Sequence, residues 1–95
     1  MLVYRGEMMN YLVVFNDTHD AIHTETVVKK NKIKARMVGT PETISAACGL
    51  SLRLSEDQME AAKELLSDIS FTSQIEIYAI MEKEDGSNRY ELLNE

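Results

Sequence analysis

The chain is predicted to form one α+β domain with the element order β-α-β-β-α-β. Three observations carry this. Four short segments read as strands, either wholly apolar or alternating with period two; two intervening stretches carry apolar residues at three-to-four-residue spacing; and 95 residues are enough for one modest core but not for two. Hydrophobic residues at 44% and charged residues at 27% are ordinary for a globular chain, which excludes a disordered or membrane-embedded class.

Tyr11-Leu12-Val13-Val14-Phe15 is apolar, aromatic and β-branched, and a polar Asn16-Asp17 exit follows, so it reads as a buried central strand. Asp17 or Thr18 then offers an N-cap. Ala21, Ile22, Glu25 and Val28 mark one face of a helix that runs to the basic stretch Lys29, Lys30, Lys32 and Lys34, a cluster that suits a solvated helix end. Ile33, Ala35 and Met37 alternate with Lys34 and Arg36 until Gly39-Thr40-Pro41 ends the pattern, as expected of an edge strand. Leu50, Leu52 and Leu54 alternate with Ser51 and Arg53 in a third strand with three leucines on its core side.

Ser55-Glu56-Asp57-Gln58 has the form of a capping box, and Met59, Ala62, Leu65, Leu66 and Ile69 follow as one apolar stripe. Ile75, Ile77, Ala79 and Met81 then make the apolar face of a fourth strand, followed by an Asp85-Gly86 turn. Tyr90-Glu91-Leu92-Leu93 is open to two readings, a short extra strand or a tail. This order is the ferredoxin-like split arrangement, a four-stranded antiparallel sheet with both helices on one face. The other face is expected to be open to water and partly apolar, which suits a homodimer, another partner or a tail that covers it. Residues 10–83 are assigned to the domain, 1–9 to an extension of uncertain order, and 84–95 to the closing turn and tail or strand.

Composition narrows the chemistry. A net charge of −6 and scattered Lys and Arg argue against nucleic acid as a partner. The longest apolar run is far short of the roughly twenty residues of a spanning helix, and the first residues lack a secretory pattern, so a cytoplasmic location without membrane contact is expected. One cysteine makes neither an internal disulfide nor a zinc site, no metal ligand set or paired-carboxylate spacing is present, and no cofactor is implied.

That cysteine, Cys48, is the residue with covalent potential. It lies in Thr40-Pro41-Glu42-Thr43-Ile44-Ser45-Ala46-Ala47-Cys48-Gly49, a connection longer than a hairpin needs and therefore a candidate site. Thr40 as cap, Pro41 at the first position and Gly49 as terminator predict one or two helical turns ending at Cys48. Cysteine reacts as the thiolate, a few percent of the population at pH 7 for an ordinary pKa of about 8.5. A helix C-terminus does not favour an anion, so a cation is needed, and His19, Arg36 and Arg53 are the candidates. His19 is preferred, because Arg53 lies roughly 16 Å along the strand. The alternative is that Cys48 is a small buried structural residue.

Phe15-Asn16-Asp17-Thr18-His19-Asp20-Ala21, Glu25, the segment from Pro41 to Arg53 with Ser45 and Cys48-Gly49, and Ile77-Tyr78 resemble the small bacterial domains known as selenium/sulfur carrier protein-like. The resemblance covers most of residues 11–81. It implies a non-enzymatic carrier in which Cys48 is the acceptor thiol, with a sulfur or selenium donor or acceptor protein as its partner; on the residues themselves, Gly49 is then expected to permit close approach and His19 or a partner's basic group to stabilise the thiolate. Where that family leads one to expect a basic residue after the proline, this chain has Glu42. The competing expectation is a non-catalytic interaction or dimerisation module in which Cys48 is structural.

Overall fold

A computed structural model describes residues 10–93, apart from the side chain of Glu82. The elements are β1 (Asn10–Val14), α1 (Thr18–Lys30), β2 (Arg36–Gly39), β3 (Leu50–Ser55), α2 (Glu56–Asp68), β4 (Glu76–Glu82) and β5 (Asn88–Leu92). The expected 1–9 extension lies outside the described residues. The strands form one antiparallel sheet in the order β2-β3-β1-β4-β5, so the sheet has five strands where four were expected. The addition is the strand reading of the C-terminal segment. Gly86 at φ 91° turns the chain, the Asp85 carboxylate accepts from the Ser87 amide at 2.9 Å, and Arg89 is brought opposite Met81.

Period two explains which residues meet the helices. Tyr11, Val13 and Phe15 of β1 and its exit, Leu50, Leu52 and Leu54 of β3, and Ile75 and Ile77 at the start of β4 pack with Ala21 and Val28 of α1 and with Met59, Ala62 and Leu66 of α2. Both helices therefore cover the same face. The weak stripe of α1 has a cause: its buried side carries Asp20 and Thr24 beside Ala21 and Val28, whereas Ile22 is exposed. Asp17 caps this helix, accepting from the amides of His19 at 2.8 Å and Asp20 at 3.3 Å.

Two local expectations are corrected. The capping box is not made, because Ser55 Oγ turns to the Asp57 carboxylate and Gln58 Oε1 accepts from the Lys34 amide at 2.9 Å. The second sheet face is not open across its centre. Leu12, Val14 and Ile80 form a second apolar cluster with Ile44 of the β2–β3 connection, and all four are buried. Ser51 on this face is fully buried too, its hydroxyl 2.7 Å from that of Thr40. Among the described residues, no helix is long and apolar enough to cross a membrane.

Candidate functional site

The β2–β3 connection is a closed loop rather than the expected helical turns. Its base is joined where the Thr40 amide donates to the Gly49 carbonyl at 2.9 Å, with the Thr40 and Ser51 hydroxyls paired alongside. A single turn follows Pro41, whose carbonyl accepts from the Ile44 amide at 2.9 Å, and Ile44 then drops onto the sheet. The Thr40 hydroxyl is thus engaged by β3 and the apolar side chain by β1 and β4, leaving no driving force for a helix. The ends of the loop are held together and its one buried side chain is packed back onto the sheet.

The far side of the loop is held by Asn16, the first residue after Phe15. Its Oδ1 accepts from the Ala47 amide at 3.1 Å, while its Nδ2 donates to the Gln74 carbonyl at 3.0 Å. One side chain thereby links the loop, the end of β1 and the approach to β4. Cys48 follows, half-buried against the helix-side core. Its thiol donates to the Phe15 carbonyl at 3.1 Å, with the Leu50 carbonyl at 3.7 Å, and its sulfur accepts from the Leu50 amide at 3.4 Å.

Gly49 sits at φ 74°, the left-handed region that L side chains avoid, and a Cβ built there would meet nothing within 4 Å. The glycine is required by the backbone turn, and space beside it is open. His19 is exposed in the first turn of α1, four residues beyond the carbonyl that receives the thiol, so both lie at the C-terminal end of β1. Among the described residues, the sulfur's hydrogen-bond partners are backbone groups of Phe15 and Leu50 and include no cationic side chain. Arg36 and Arg53 face one another toward the other end of β3. Glu42 is exposed in the turn after Pro41.

The family described as "Putative Se/S carrier protein-like" matches residues 10–82. The chain belongs to this family. The match spans the Se/S carrier-like domain from β1 through β4, including the loop that carries Cys48. No curated protein and no solved structure matches the chain.

Two features of this Se/S carrier-like domain had no clear mark in its sequence. Asp20 is buried, and its carboxylate accepts from the amides of Thr72 at 3.0 Å and Ser73 at 3.1 Å and from the Thr72 hydroxyl at 3.0 Å. Desolvation raises its pKa, but the hydrogen bonds from Thr72 and Ser73 outweigh it together and hold the group below the ordinary aspartate value. The second is a cleft of about 510 Å³ between the loop turn and the β4–β5 hairpin, where Tyr78 Oη donates to Glu76 Oε1 at 3.1 Å. Burial, with Glu76 adding to it, pushes the Tyr78 phenol above its ordinary range. Among the described residues, no group of three His, Cys, Asp or Glu side chains is placed to hold a metal.

Proposed function

We propose that this protein is a sulfur/selenium carrier-type accessory protein in which Cys48 accepts a sulfane sulfur or selenium atom from a donor protein and passes it to an acceptor. Membership of the family supports the class, and the setting of Cys48 is the observation that carries the assignment. The thiol is half-buried at the mouth of a braced loop, beside a glycine with open space around it, so a partner can approach without displacing the core.

In the transfer, the Cys48 thiolate attacks the outer sulfur of a donor persulfide. The donor's S–S bond breaks, a new Cys48–sulfur bond forms, and the departing donor thiolate takes up the proton that Cys48 released. The net change is Cys48–SH plus donor–S–SH to Cys48–S–SH plus donor–SH, with no external oxidant. In this reading the Leu50 amide, which already donates to the sulfur, stabilises charge on it, and His19 or a partner's basic group supplies the cation. A carrier thiol needs a compartment that keeps thiols reduced, which supports a cytoplasmic setting. The order β2-β3-β1-β4 with two helices on one face supports a ferredoxin-like split arrangement extended by β5.

Incubation with a low-molecular-weight persulfide followed by intact-mass measurement tests the proposal. Wild type should gain the mass of one sulfur atom, reversed by reductant, and Cys48→Ser should gain none. Equal labelling of both proteins would remove Cys48 from the role.

A second reading, an interaction or homodimerisation module with a structural Cys48, is favoured by one observation. The covered sheet face leaves an uncovered rim at β5, where Leu92 is 40% exposed and Leu93 beyond it 52% exposed. Light scattering of wild type and Leu92→Ser decides it: a concentration-independent monomer in both cases removes this reading.

A further inference from the structure

At the end of the sheet remote from Cys48, Arg36 of β2 and Arg53 of β3 are direct cross-strand partners. Residues opposed in this way have Cβ atoms about 5 Å apart, and like charges so placed repel. Their neighbours on the same face offer no compensation. Arg53 is flanked by Leu12 on its other side, and the adjoining register pairs bring Val38 and Ser51, or Ser55 and Asn10. Neither guanidinium forms an ion pair with a described residue.

The two arginines line a cleft of about 270 Å³, together with Asn10, Lys34 and Ser55. A carboxylate stands at the edge of the cleft: Asp57 accepts from the Ser55 hydroxyl, and that bond first, then Gln58 and in smaller part Lys34, lowers its pKa, so the unmatched charge is chiefly that of the arginines. The chain carries −6 overall, and here three cations are gathered against that trend, with Asn10 beside them.

We propose that this cleft is a binding site for a small tetrahedral oxyanion of the phosphate or sulfate type. Two guanidinium forks and the Lys34 ammonium line it beside Asn10, which is more donors than a planar carboxylate can use, while the Ser55 hydroxyl is already given to Asp57. An anion between Arg36 and Arg53 converts their repulsion into two charge-assisted interactions. The site is separate from the carrier thiol, since Cys48 lies in the loop before the Leu50 end of β3 and no residue lining this cleft is among the sulfur's hydrogen-bond partners. It stands independently of the carrier reading.

The test is a titration of the full chain with inorganic sulfate and with inorganic phosphate, followed by amide NMR shifts and by melting temperature, at ionic strength held constant with sodium chloride. Saturable shifts at Arg36, Arg53 and Ser55 are expected, with affinity at least about tenfold weaker in Arg36→Gln and in Arg53→Gln, as loss of a charged hydrogen bond implies. Arg89→Gln and Cys48→Ser should bind as wild type does.

A second readout separates binding from a scaffolding role. In chloride alone the two cleft variants should melt no lower than wild type, because each relieves repulsion, whereas sulfate should raise the melting temperature of wild type and not of the variants. Arg36 is exposed, so its variant keeps the test open should Arg53→Gln fail to fold. Shifts that follow ionic strength alone, meaning an adventitious ion only, would overturn the proposal. So would equal binding of acetate, or unchanged affinity in both cleft variants.

Discussion

Replacing Asn16 with alanine should make Cys48 markedly more reactive. The two hydrogen bonds lost, from the Ala47 amide to Asn16 Oδ1 at 3.1 Å and from Asn16 Nδ2 to the Gln74 carbonyl at 3.0 Å, are what join the thiol-bearing loop to the approach of β4. Each contributes about 1 kcal/mol net. Water can replace part of each bond at this exposed site, so loop opening should become easier by about 1–2 kcal/mol, or about 5- to 30-fold in population. If the Cys48 thiol reacts from the opened loop, released from the Phe15 carbonyl, its alkylation by a small thiol reagent should accelerate by the same factor. Stopped-flow alkylation at fixed pH measures this, and hydrogen exchange at the Ala47 amide reports loop opening independently. Faster exchange at Ala47 with an unchanged alkylation rate would refute the reasoning, because the sulfur would then be reached without opening the loop.

Asp20→Asn should lower the melting temperature at neutral pH. Since the folded-state pKa of Asp20 lies below its ordinary value of 3.8, its contribution is present above that value and is lost as pH falls through the folded pKa. The gap between wild type and variant should therefore close on acidification below pH 3.8, as thermal melts across that range would show. Ile44→Ala removes the side chain with which the loop covers the second sheet face and should cost about 2–4 kcal/mol by urea denaturation. Gly49→Ala places a Cβ at φ 74° where nothing obstructs it, so its cost should be the backbone term alone, about 1–2 kcal/mol by the same method. Thr24→Val should stabilise by up to about 1 kcal/mol, because the Thr24 hydroxyl is buried without a hydrogen-bond partner and the replacement keeps its shape.

β1, β3, β4 and the second helix are legible because their burial is local and periodic, whereas the alternation of Ile33, Ala35 and Met37 points to a strand beginning at Ile33 and β2 spans Arg36–Gly39. Leu50, Leu52 and Leu54, and Met59, Ala62 and Leu66, announce the faces they bury. Tyr90-Glu91-Leu92-Leu93 fits either strand or tail because β5 (Asn88–Leu92) has Tyr90 as its sole half-buried residue, too little for a period-two signal. The loop differs from the expected helical turns although Thr40, Pro41 and Gly49 carry helix-boundary preferences. Those weak preferences were overridden by the Thr40–Ser51 pair and by Ile44, partners far away in sequence. Cys48 was singled out by chemistry, but its contacts were not foreseeable, since backbone carbonyls and amides leave no mark in a residue pattern. Asn16 was noted as the polar end of β1, yet its two long-range partners depend on the antiparallel register of β1 with β3 and β4.

The strand order also determines how copies of this protein can meet. The sheet ends on β2, four residues long and carrying Arg36, and on β5, where Arg89 and Glu91 occupy alternate positions. A brief border strand and charged border residues both discourage another chain from extending the hydrogen-bond ladder sideways. Fibrillar stacking by continuous strand addition is therefore disfavoured at each flank, which turns contacts between copies toward side chains.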